Sequence, residues 1–140
     1  MVGPAAGIKG RRAIVCASSK GLGRACAMAL ANEGVHVTLT ARGAEALKKT
    51  ADEIRKANPG ITVTEVVGDI NTPAGREDVL QACPDPDILT NNAGRPPTGE
   101  FRNWTHEDWI KATAATMLTQ IELTKAPGHG RSAREVRRTR

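Results

Sequence analysis

The chain has 140 residues, 39% of them apolar and 25% charged, which suits one compact globular domain of ordinary composition. Two Trp, one Phe and no Tyr are present, so a mechanism that needs a tyrosine proton donor is excluded for these residues alone. The formal charge of +5 is concentrated at residues 127–140, where Arg131, Arg134, Arg137, Arg138 and Arg140 stand against Glu135. Residues 1–126 are nearly neutral and offer no basic face of the kind that binds nucleic acid.

The elements expected in chain order alternate short apolar runs with longer amphipathic segments, the signature of βαβ units. Ala13–Cys16 reads as a buried strand, and a helix is expected from about Gly21 to Glu33. Val35, Val37 and Leu39 alternate with polar residues as a second strand. Leu47, Ala51 and Ile54 recur at helical spacing up to about Asn58, where Pro59-Gly60 ends the helix. Ile61–Val67 is β-branched and reads as a third strand. Thr72-Pro73 places a cap residue before a proline suited to the first helical turn, and that helix runs to about Ala82. Asp87–Thr90 is a short fourth strand. Thr105 with Asp108 has the spacing of a capping box and opens a last helix to about Lys125, with Ile110, Ala114, Met117 and Ile121 on one face.

Pro127-Gly128-His129-Gly130 breaks that helix, and the Arg-rich residues 127–140 carry almost nothing apolar to add to a core. The expected division is a domain over 1–126 and a basic tail over 127–140. No apolar run approaches the roughly 20 residues that span a bilayer. Met1–Arg12 has no secretory pattern, so a cytoplasmic address without membrane attachment is expected. Cys16, Cys26 and Cys83 have no metal-ligand spacing and are expected as free thiols.

The segment Cys16-Ala17-Ser18-Ser19-Lys20-Gly21-Leu22-Gly23 carries the chemistry. Glycines between a strand and a helix let backbone approach a diphosphate, and the helix start presents free N–H groups and a positive dipole end to the anion. Gly23 also allows the helix to lie against the strand. A lone G-x-G is a weak signal, but three further markers follow in order: Gly68-Asp69-Ile70, then Asp87-Ile88-Leu89-Thr90-Asn91-Asn92-Ala93-Gly94, then Trp109 in its helix.

Together these residues resemble the short-chain dehydrogenase/reductase family over about residues 9–126, closest to its 3-oxoacyl-(acyl carrier protein) reductase-like members. The resemblance implies a Rossmann-type parallel α/β sheet with strand order 3-2-1-4, ending after the fourth strand and its helix. It implies a dinucleotide held by Ala17, Ser18, Ser19, Lys20, Gly21, Leu22 and Gly23, with Asp69 and Ile70 at the adenine and Asn91, Ala93 and Gly94 farther along. The end of the second strand, Thr40-Ala41-Arg42, has no carboxylate for a free ribose hydroxyl pair. Arg42 and Lys20 match positions that flank the 2′-phosphate in NADP-dependent members. Two charge-assisted contacts could favour NADP over NAD by ~10–100-fold.

This sequence also departs from the family. Ala17 stands for the first fingerprint glycine, at a cost of ~1 kcal/mol if φ is positive there. Thr116 occupies the position of the family's Asn, and the family's Ser and Tyr-x-x-x-Lys have no counterpart in the 140 residues. The expectation is an NADP-binding portion of an oxidoreductase that turns nothing over alone. The alternative is a non-enzymatic module that binds the cofactor for regulation or to pair with another subunit. Self-association through the fourth strand's edge or the last helix is expected with either.

Overall fold

The computed structural model describes residues 7–92 and 98–126, and the expected tail at 127–140 lies outside them. Among the described residues four parallel strands form one sheet: β1 (Arg12–Val15), β2 (His36–Ala41), β3 (Val63–Val67) and β4 (Ile88–Thr90). Their order is β3-β2-β1-β4, as the resemblance implies. Ile14 of β1 pairs with Thr38 on one side and Leu89 on the other, so β1 is central. Because alternate residues of a strand face opposite ways, β1 feeds two cores. Ala13 and Val15 join Leu39, Leu47 and Ile54 on one face, while Ile14 and Cys16 join Ile70, Val79 and Leu123 on the other.

Helices α1 (Gly21–Asn32) and α2 (Ala44–Ala57) cover the first face. Leu47, Ala51 and Ile54, at the spacing noted from sequence, are all fully buried on α2. An ion pair between Arg24 and Glu53 ties the two helices together. Helix α3 (Pro73–Ala82) begins on a Thr72 cap, whose hydroxyl accepts from the Gly75 N–H at 3.1 Å, with Pro73 in the first turn. The last helical stretch crosses the second face as α4 (His106–Thr113), a π-helical segment at Ala114–Leu118, and α5 (Thr119–Lys125). Both halves of the expected capping box at Thr105 and Asp108 are present.

Several element ends differ from expectation, for local reasons. Ile61 belongs to the turn, its N–H bonded to the Asn58 carbonyl at 3.3 Å, so β3 begins only at Val63. Asp87 precedes the β4 ladder and clamps the base of β1: its carboxylate accepts from the Arg11 guanidinium at 3.2 Å and the Arg12 N–H at 3.0 Å. The last helix is not uniform. Its π-helical segment widens one turn, a feature that sequence periodicity does not register.

Candidate functional site

The strands deliver their C-terminal ends to one crevice, at the place where strand order reverses between β1 and β4. The turn after β1 passes through Ala17, whose φ is 49°, in the left-handed region that favours glycine. A Cβ at Gly23 would stand 2.1 Å from the Ala17 carbonyl oxygen, so only glycine lets α1 start this close to the turn. No side chain caps that helix start and no acidic residue lies in its first turn. Its N–H groups and positive dipole end are therefore available to an anion.

The buried Ser18 fastens this turn to β2: the Thr40 N–H donates to Ser18 Oγ at 3.1 Å, and the Ser18 N–H donates to the Thr40 carbonyl at 3.1 Å. From α2, the Thr50 hydroxyl donates to the Ser19 carbonyl at 2.9 Å. These bonds hold the two residues just before Lys20, and Lys20 and Arg42 line the same groove of about 1150 Å³.

The opposite wall is the Asp69–Asn71 turn. Asp69 Oδ1 accepts from the Asn71 N–H at 2.9 Å, and the Arg76 guanidinium of α3 donates to the carbonyls of Ile70 at 3.3 Å and Asn71 at 3.1 Å. Asn92 closes the floor, its amide reaching the Cys16 carbonyl at 3.5 Å. Asp108, Lys111, Ala112, Ala114 and Ala115 form the rim contributed by the last helix. The Thr105 hydroxyl and N–H hold the Asp108 carboxyl below its ordinary range. Under the floor, burial pushes the Cys16 thiol up to about 11, so it stays protonated near neutrality. All three cysteines are free, as expected.

Of the residues expected from sequence, Ala17, Ser19, Lys20, Gly21, Leu22, Arg42, Asp69 and Ile70 line the groove together. Ser18 and Gly23 lie buried beneath it and shape it. Asn91 points elsewhere, its amide donating to the Thr124 hydroxyl at 3.4 Å. Ala93 and Gly94 lie outside the described residues. Thr116 is exposed and does not line the groove; its hydroxyl donates to the Ala112 carbonyl at 2.7 Å. Sequence reasoning missed Asn71, Asn92, Asp108 and Lys111. Only the position of Asn92 inside the Asn-Asn-Ala-Gly run carried a signal for any of them.

The groove thus combines an uncapped helix start with two cationic side chains and a carboxylate in its lining, a set with donors for an anion and an acceptor beside them. The family profile described as short chain dehydrogenase matches residues 11–127. The chain belongs to the short-chain dehydrogenase family. It is 29% identical over 118 residues to the uncharacterized oxidoreductase YvaG of Bacillus subtilis, covering 84% of this chain and 45% of that protein. It is 32% identical over 107 residues to the (2S)-[(R)-hydroxy(phenyl)methyl]succinyl-CoA dehydrogenase subunit BbsD of Thauera aromatica, covering 74% of this chain and 42% of that one. Among solved structures, L-sorbose reductase from Gluconobacter frateurii, complexed with NADPH and L-sorbose, superimposes with a TM-score of 0.84 at 31% identity. That match covers 91% of this chain and 50% of the reductase. The chain thus spans about half the length of the relatives it matches. No helix among the described residues is long and apolar enough to cross a membrane.

Proposed function

We propose that this chain is the NADP(H)-binding portion of a short-chain oxidoreductase that moves hydride between the nicotinamide and a carbonyl or alcohol, and that the 140 residues alone do not turn over. The observation that carries the cofactor assignment is that Lys20 and Arg42 both line the groove, with no carboxylate at the end of β2. A dinucleotide bearing a 2′-phosphate would meet two cations there. The NADPH bound to the sorbose reductase named above supports the same choice. When bound, NADPH supplies the hydride. Lys20 and Arg42 would hold its 2′-phosphate, the start of α1 its diphosphate, and Asp69 with Ile70 its adenine.

Inactivity rests on the chain's own side chains. There is no tyrosine to protonate an alkoxide, and Thr116 spends its hydroxyl on the Ala112 carbonyl. A cytoplasmic setting accords with the three free cysteines. Fluorescence titration of NADPH and NADH against the wild type and Arg42→Asp tests the cofactor. NADPH should bind about tenfold or more tightly than NADH, with the preference lost in the variant. Equal affinities in the wild type would remove the NADP assignment. NADPH oxidation with an acetoacetyl thioester should stay at the buffer blank, and cofactor-dependent reduction would refute inactivity.

A second reading, a module that pairs with itself or another subunit, is favoured by one observation. Trp109, Ile110, Met117, Leu118 and Ile121 of the last helical stretch are exposed, and among the described residues β4 pairs on one side only. Light scattering at micromolar concentration should find association that Leu89→Lys weakens. A monomer throughout would count against pairing with itself.

A further inference from the structure

Three threonines on the last helical stretch use their hydroxyls in two ways. Thr116 and Thr124 each donate to the carbonyl four residues back, at 2.7 Å in both cases. Thr119 does not; it is 3% exposed and its hydroxyl reaches across to Asn71 Oδ1 at 3.0 Å. The bond joins α5 to the far wall of the groove, 48 residues away in the chain. It also fixes which way the Asn71 carboxamide faces: with Oδ1 engaged, Nδ2 and its two protons are left without a partner among the described residues. Asn71 lines the groove beside Asp69, which gives Oδ1 to the Asn71 N–H and keeps Oδ2 to accept.

We propose that Asn71 is a further contact residue for the purine base, and that Thr119 is the positioning residue that aims its carboxamide. The inference rests on the reading of this groove as an adenine-nucleotide site. A carboxylate acceptor next to an amide donor matches adenine, which places its exocyclic amine, a donor, beside a ring nitrogen that accepts. Arg76 braces the same turn through the Ile70 and Asn71 carbonyls, so the backbone is held from α3 while the carboxamide is held from α5.

The test is calorimetric titration of the 140-residue chain with 2′,5′-ADP, alongside thermal unfolding without ligand. Thr119→Val removes the bond yet leaves the amide in place, and should weaken binding about threefold, while Thr119→Ser restores it. Asn71→Leu removes the bond and the donor together, and should weaken binding about tenfold or more while lowering the unfolding midpoint no further than Thr119→Val does. Equal losses of affinity for Thr119→Val and Asn71→Leu would show that Asn71 only props the turn, and would overturn the inference. Should Asn71→Leu fail to fold, Asn71→Asp keeps an acceptor for Thr119. Its loss for 2′,5′-ADP should exceed its loss for inorganic pyrophosphate, and equal losses would mean charge repulsion alone and refute a base contact. A wild type that does not bind 2′,5′-ADP at all would instead overturn the adenine-nucleotide reading of the groove.

Discussion

The two faces of the sheet are finished to different degrees. On the face covered by α1 and α2, Ala13, Val15, Leu39, Leu47, Ala51 and Ile54 are all fully buried, and α2 turns Glu45, Lys48, Lys49, Asp52 and Lys56 outward. On the other face, α4 contributes no buried residue, and only Thr119 and Leu123 of α5 are enclosed. Phe101, Trp104 and Trp109 cluster among themselves, with ring centroids 5.2 and 5.8 Å from Trp109, while Phe101 and Trp109 stay exposed. Among the described residues, one face is covered and the other holds exposed apolar side chains at Phe101, Trp109, Ile110, Met117, Leu118 and Ile121. The turn after β1, which lines the groove, belongs to the finished side and is fastened there by Ser18 and Thr50.

The difference can be broken by truncating each side in turn. Leu39→Ala, at a fully buried position, should cost about 2–5 kcal/mol in chemical denaturation. Ile110→Ala, at a position 56% exposed, should cost less than about 0.5 kcal/mol in a monomeric sample. Comparable costs would mean that the open face is covered in solution.

The turn between the two faces supplies effects of both signs. Gly23→Ala drives a methyl group into the Ala17 carbonyl and should destabilise by about 2–3 kcal/mol while weakening nucleotide binding. Ala17→Gly relieves a residue at φ 49° and should stabilise by about 1 kcal/mol, read as a raised unfolding midpoint. No gain from Ala17→Gly would show that the turn pays nothing for its alanine.

The smallest effect concerns pH at the start of α4. Because Thr105 lowers the Asp108 pKa in the folded state, the capping contribution is complete above the unfolded value. It is lost as pH falls through the lowered folded value. Amide exchange near Thr105 should therefore quicken in acid beyond its intrinsic trend, and Asp108→Asn should abolish that dependence. No change in the variant would remove the box from the account.

Much of the fold was legible because local signals agreed with one another. The apolar run of β1, the alternation of β2, the spacing of Leu47, Ala51 and Ile54, the Thr72-Pro73 start and the Thr105–Asp108 box each depend on neighbours within a few residues. Half-legible was the candidate site: the wall after β1 and β2 follows from the glycine turn with Lys20 and Arg42. Its far wall follows only in part: Asp69 and Ile70 come from the marker after β3, whereas Asn71 and Thr119 stand 48 residues apart and neither belongs to a recognisable motif.

What the sequence by itself determined was therefore the set of elements, their order in the sheet and the chemistry at the start of α1, since period, caps and glycines act over one or two turns. Tertiary structure alone decided that Ala17 takes a positive φ, that Gly23 cannot carry a Cβ and that Asn91 turns from the groove while Asn92 faces it. It also decided that Thr116 donates back along its own helix to Ala112 whereas Thr119, three residues on, donates across to Asn71. These outcomes depend on which backbone or side chain arrives from a distant segment, and a sequence read locally does not carry that distance.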